Sequence, residues 1–200
     1  MISMELACLY LIPLLASAWC LLPFKPSWLG RMQVVANVAL LAIICKIVQE
    51  VSLNGPQHFA GQFFYIDALS ALLLLLIGLI GLFTALYSMR YMLGETEEKP
   101  RTPWKLRIYH MLFNWFILSM LGMVTVNSLG VYWVAIEAST LFSAFLVGYY
   151  SQKKPIEAAW KYIILCTVGL AFALIGLILA YYAVHKAQGD IQQGLDWLYL

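Results

Sequence analysis

DALSALLLLLIGLIGLFTALYSMRY, residues 67–91, decides the class of this protein. No charge falls between Asp67 and Arg90, and the run is longer than the ~20 apolar residues that a helix needs to cross ~30 Å of hydrocarbon. Working outward from it, five further stretches qualify or nearly do, giving predicted spans at 4–22, 32–48, 67–91, 109–126, 129–150 and 156–184. The second is the shortest and carries Lys46. The first has no positive flank before it and exceeds a signal-peptide core, so it reads as a retained span. The fold class is therefore all-α integral membrane, a single membrane domain over 1–200 with about six transmembrane helices.

Composition says the same. The 200 residues are 63% hydrophobic and 11% charged, against ~25% charged in soluble domains. Lipid must be the solvent for most of that apolar surface. A net charge of +2, with the basic residues dispersed in short connections, gives no basis for nucleic-acid binding. The four cysteines, Cys8, Cys20, Cys45 and Cys166, all lie in apolar runs with no CxxC spacing. They read as buried inert thiols, and no metal site is expected.

Punctuation supports the division. Pro23 and Pro26 close the first span, Asn54-Gly55-Pro56 turns after the second, Pro100 and Pro103 break the charged third connection, and Pro155 opens the sixth helix. Only Asn127 and Ser128 separate the fourth and fifth spans, so those two helices must be antiparallel neighbours. Lys25, Arg31, Arg90, Lys99, Arg101, Lys105, Arg107, Lys153 and Lys154 all fall in odd-numbered connections, against Lys186 on the other side. The positive-inside rule then sets the odd connections in the cytoplasm and both termini outside, in the inner (cytoplasmic) cell membrane. The apolar tail Trp197-Leu198-Tyr199-Leu200 reads as the approach to another membrane segment, with the chain expected to be truncated at its C-terminus.

Glu137 is the residue most expressive of function. Nine positions after Ser128, it sits ~13 Å deep, near the bilayer midplane. A carboxylate there costs several kcal/mol unless it is neutralised, paired or hydrated. Gly130, Glu137, Thr140, Ala144 and Gly148 share roughly one face, a small-residue stripe that admits a close-packed helix and water. Glu137 is thus a candidate proton-carrying acid, with a protonated or hydrogen-bonded structural glutamate as the alternative. Lys161 is a candidate relay lysine; alternatively its stem snorkels, or it pairs with Glu157 one turn earlier. Upright helices would put the two α-carbons ~10 Å apart in depth, which disfavours a direct Glu137–Lys161 bond. His110 opens the fourth span as a candidate proton access group or an interfacial histidine. Lys46 reads as snorkelling, and Asp67 as a helix N-terminal residue. Tyr87, Tyr91, Trp104 and Tyr109 read as an interfacial belt, and Gly78, Gly81, Gly169 and Gly176 as packing residues.

Two stretches carry a family resemblance. VYWVAIEASTLFSAFLVG, residues 131–148, resembles the fifth helix of the antiporter-like membrane subunits found in respiratory complex I, Mrp cation/proton antiporters and membrane-bound nickel–iron hydrogenases. EAAWKYIILCTVG, residues 157–169, resembles their sixth helix, and residues 67–71 and 86–91 resemble positions in the third. The wording is most similar to hydrogenase-4 component F. The resemblance implies the N-terminal half of a fourteen-helix fold, with Glu137 and Lys161 as proton-translocating residues and no cofactor on this chain. It implies a proton-translocating subunit of a hydrogenase or formate hydrogenlyase-type complex, whose redox chemistry sits on partner subunits, both membrane-embedded and hydrophilic. The alternatives are a complex I (NADH:quinone oxidoreductase) subunit, an Mrp-type antiporter subunit moving sodium as well as protons, and a non-transporting scaffold fragment.

Overall fold

A computed structural model describes residues 2–22, 26–59, 63–98, 103–149 and 153–188. Lys25, Lys99, Pro100, Arg101, Pro23 and the tail at Trp197–Leu200, all used above, lie outside the described residues. The described residues form six helices: α1 (Ile2–Cys20), α2 (Pro26–Asn54), α3 (Ala68–Glu98), α4 (Pro103–Thr125), α5 (Leu129–Gly148) and α6 (Lys153–Gln188). A short antiparallel hairpin, β1 (Gln57–Phe59) and β2 (Phe64–Ile66), joins α2 to α3. Five of the helices are long and apolar enough to cross a membrane; the apolar stretch of α1, Met4–Cys20, is shorter.

The helices run past several of the expected ends. The second is not the short one: α2 has 29 residues, because Pro26 begins it instead of closing the span before it. Pro103 likewise begins α4. A proline at the first helical position gives up only an N–H that has no intrahelical partner there. The cysteines also differ from expectation. All four are free thiols, but Cys8 and Cys45 are exposed on the apolar outer surface and only Cys20 is buried.

Connections alternate between the two ends of the bundle. At one end, the hairpin meets the α4–α5 turn: Phe64 bridges Val126, and the Asn127 N–H donates to the Phe63 carbonyl at 3.0 Å. Asp67 caps α3 there, its Oδ1 accepting from the Ser70 N–H at 2.7 Å, which is the helix-start role expected of it. At the other end, Cys20, Leu29, Met92, Leu106 and Tyr149 pack together, which brings the ends of all three odd connections to one level.

α4 lies at the centre, packed on α1, α2, α3 and α5, while α6 packs on α5. The core between these helices is built from Leu9, Leu40, Ile44, Ile66, Leu74, Ile117 and Leu121. A reciprocal amide pair crosses it: Gln33 Nε2 donates to Asn114 Oδ1 at 2.9 Å, and Asn114 Nδ2 donates to Gln33 Oε1 at 2.8 Å. Such interhelical bonds contribute about 0.6 kcal/mol each in a membrane, up to ~1.7. Their greater effect is to fix the register of α2 against α4.

Glycine sets the α2–α3 approach. A Cβ at Gly78 would stand 2.9 Å from Ile44 Cδ1 and 3.0 Å from Leu41 Cδ1, and one at Gly81 would stand 3.1 Å from Asn37 Oδ1. The packing role expected of these two holds. It does not hold for Gly169 and Gly176, where a Cβ would meet nothing within 4 Å, since they lie on an open part of α6. Gly78→Val should therefore destabilise the bundle by ~1–3 kcal/mol, the cost of overpacking, while Gly176→Val should leave its stability unchanged. Thermal unfolding in detergent, followed on both variants, checks the contrast; equal effects would contradict the packing described.

Candidate functional site

Glu137 stands in the middle of α5, on the seam with α6. Close approach of these helices depends on small residues: Ala144 is fully buried, and a Cβ at Gly148 would sit 3.5 Å from the Ala159 methyl. Trp133 ties the seam at its other end, its Nε1–H donating to the Leu170 carbonyl at 2.9 Å. The face read from the sequence as a small-residue stripe is thus the α6-facing side of α5.

The carboxyl group is half satisfied. Thr167 Oγ1 on α6 donates to Glu137 Oε1 at 3.2 Å, whereas Oε2 is buried with no hydrogen-bond partner. Neighbouring hydroxyls turn inward on their own helix: Thr140 Oγ1 donates to the Glu137 carbonyl at 2.8 Å and Ser143 Oγ to the Thr140 carbonyl at 2.8 Å. Ser143 Oγ is also 3.2 Å from Tyr162 Oη. One carboxyl oxygen is thus held in place, and the other is left without a partner.

Lys161 lies apart from it. Its ammonium is bonded to the Glu157 carboxylate one turn earlier, and both side chains are mostly exposed. The α6 partner of Glu137 is Thr167, six residues beyond Lys161 and so ~9 Å further along the helix. This agrees with the depth argument against a direct Glu137–Lys161 bond.

His110 belongs to a third location. Its side chain is 1% exposed and its Nδ1 has no partner. The surrounding polar residues were missed in the sequence: Gln33 and Asn37 on α2, Ser88 on α3 and Asn114 on α4 are all buried. A signal was available, since Gln33/Asn37 and His110/Asn114 are both spaced i, i+4 within apolar runs and so share a helix face. Nothing in the sequence pointed to Thr167. Among the described residues no group of three or more His, Cys, Asp or Glu side chains could hold a metal ion. A cavity of about 270 Å³ at the hairpin end is lined by Tyr65, Asp67, Ser70, Met123 and Tyr132, five residues before Glu137 on α5.

Comparison with known proteins agrees with this architecture. Residues 62–101 match the family model described as NADH-ubiquinone oxidoreductase (complex I), chain 5 N-terminus. The fold resembles a chain in the membrane-bound sulfane sulfur reductase, an archaeal respiratory membrane complex, with a TM-score of 0.71, 23% identity, and coverage of 92% of this chain and 37% of that one. Fold and sequence likeness together define a multi-pass membrane protein of the antiporter-like class, whose members work within multi-subunit membrane complexes. Within that class, the chain is 37% identical over 137 residues to a hydrogenase-4 component F homolog from Methylacidiphilum infernorum, covering 68% of this chain and 29% of the relative. It is 34% identical to a putative antiporter subunit from Staphylococcus saprophyticus, over 59% of this chain and 14% of the relative. It is 31% identical to a subunit of the Na(+)/H(+) antiporter of Alkalihalophilus pseudofirmus, over 56% and 13%. The matches thus span less than a third of the length of these relatives.

The Thr167 contact generates a direct expectation. Thr167→Val removes the donor while keeping side-chain shape, and should cost about 0.6 kcal/mol of stability. The infrared carbonyl stretch of protonated Glu137, identified by its loss in Glu137→Gln, should move to higher frequency, and Thr167→Ser should restore it. An unmoved band in Thr167→Val would remove Thr167 from the site.

Proposed function

We propose that this chain is the proton-translocating N-terminal part of an antiporter-like subunit in a membrane-bound nickel–iron hydrogenase or formate hydrogenlyase-type complex, with Glu137 as its proton-carrying acid. The observation that carries this reading is the Glu137 carboxyl group, which residue counting sets near mid-membrane: it is anchored through one oxygen by Thr167 and buried without a partner at the other. Such a group is expensive to keep in a membrane and is retained where charge must move. Lys161 serves as a relay lysine, exchanging its exposed Glu157 partner for a proton path when further helices or subunits cover that face of α6. His110 is the access group on the side of the basic connections, which protons reach only when the apolar cluster at that end opens. Redox chemistry belongs to partner subunits, membrane-embedded and hydrophilic, and this chain carries no cofactor of its own. The 37% identity to the hydrogenase-4 component F homolog supports the choice of complex.

A second reading, an Mrp-type cation/proton antiporter subunit, is favoured by the likeness to the Alkalihalophilus pseudofirmus Na(+)/H(+) antiporter. Sodium-dependent transport in vesicles without a redox donor would select it. The complex I family model keeps coupling to NADH and quinone as a further alternative, which co-purifying partners would distinguish.

Protons moved per electron pair in the parent complex test the central assignment. Glu137→Gln keeps shape and hydrogen bonding but cannot titrate, so the stoichiometry should fall to a small fraction while assembly survives. Glu157→Gln, on the exposed start of α6, should do far less. Normal stoichiometry in an assembled Glu137→Gln complex would leave Glu137 a structural residue.

The basic bias of the odd connections supports an orientation with those connections in the cytoplasm and both termini outside. Lys154 is exposed at the start of α6. In a cysteine-free background, Lys154→Cys should react with an impermeant thiol reagent only from the cytoplasmic face. Labelling of intact cells from outside would reverse the topology.

A further inference from the structure

On the side of the bundle formed by α2, α3 and α4, helix register brings two buried, unpartnered polar atoms to the same depth. Ser88 is 5% and His110 1% exposed, and neither Ser88 Oγ nor His110 Nδ1 has a hydrogen-bond partner. Their juxtaposition follows from helix register. A Cβ at Gly81 on α3 would lie 3.3 Å from Ile117 Cδ1 on α4, so these two residues face one another. Ser88 is seven residues after Gly81, and His110 seven before Ile117. On antiparallel helices, seven residues move both positions ~10 Å towards the same end and turn each only ~20° from its starting face. Ser88 and His110 therefore stand opposite one another at one depth.

The site is enclosed. One turn deeper, the Gln33–Asn114 amide pair closes it, and Asn114 Nδ2 also donates to the His110 carbonyl at 2.8 Å. One turn the other way, Met92 continues the Ser88 face and Leu106 the His110 face, and both pack with Leu29 in the apolar cluster at that end. On α2, Gly30 is covered by Met89, the neighbour of Ser88.

We propose that Ser88 and His110 hold an internal water molecule in this enclosed site, separate from the Glu137 seam. Two facing polar atoms that no protein group reaches require an interposed species that is small and able to donate and accept at once. Water meets that demand, and buried water characteristically bridges otherwise unsatisfied buried polar groups. A cation would require several oxygen ligands and would find one hydroxyl here. The apolar segment formed by Leu29, Met92 and Leu106 makes the water a resident one rather than part of an open channel. His110 then communicates with the basic connections only through this plug. The inference stands whether or not Glu137 carries protons.

Water-edited solid-state NMR on the histidine-labelled chain, in its parent assembly and in lipid bilayers, tests it. The His110 imidazole signal is identified by its loss in His110→Gln. Polarisation should pass rapidly from a bound water to His110 Nδ1, fall at least twofold in Ser88→Ala, and persist in Ser88→Thr. The remaining histidine signals in the same spectra show that each variant is folded. Absence of water transfer in the native chain, a direct Nδ1 bond to a protein atom, or undiminished transfer in folded Ser88→Ala would each overturn the assignment.

Discussion

Hydrocarbon offers no hydrogen bonds, so each polar group carried into the bundle has to be met by another part of the chain or by a captured water. The Gln33–Asn114 pair is where this constraint organises the fold. Each amide satisfies the other. Removing one partner would strand a buried amide at ~1–3 kcal/mol, so neither helix can slide relative to the other without that penalty. With α2 held on α4, the glycine contacts at Gly78 and Gly81 bring α3 against α2, and the hairpin strand β2 closes onto the α4–α5 turn. Asn37 extends the same logic, donating to the Gln33 carbonyl one turn back at 2.8 Å.

Centred on α4, the molecule has two chemically different sides. Towards α2 and α3, polar groups are enclosed and lie under an apolar seal. Towards α5 and α6, hydroxyls and a single carboxyl line a seam whose outer helix is largely exposed. In that second environment one Glu137 oxygen is fixed by Thr167 and the other is buried without a partner. Aromatic contacts hold α5 on α4: Trp115 lies against Phe142 with ring centroids 5.8 Å apart, and Tyr109 against Tyr149 at 5.4 Å.

Distance along α6 separates the two charged candidates. Lys161 is engaged with Glu157, while Glu137 reaches Thr167. No side-chain rearrangement alone closes a gap of ~9 Å in depth. Any coupling between them must run through water or through groups contributed by other helices or subunits.

Apolar run length alone marked six helical segments, five of them long and apolar enough to cross a membrane, because the thickness of the bilayer imposes a length that no soluble core demands. The α4–α5 antiparallel pairing followed equally from a connection too short for anything else, and the place of Glu137 midway along α5 from counting residues. Helix ends were less legible: Pro26 and Pro103 can close one segment or open the next, and only the neighbouring chain shows which. Tertiary structure alone decided the partners. Gly78 and Gly176 look alike in sequence, yet one meets Ile44 and the other open space. Likewise His110 reads as a residue at a helix entrance until α2 and α3 are seen to enclose it. Periodicity fixes which residues share a face of one helix; which helix that face meets depends on packing among segments distant in sequence.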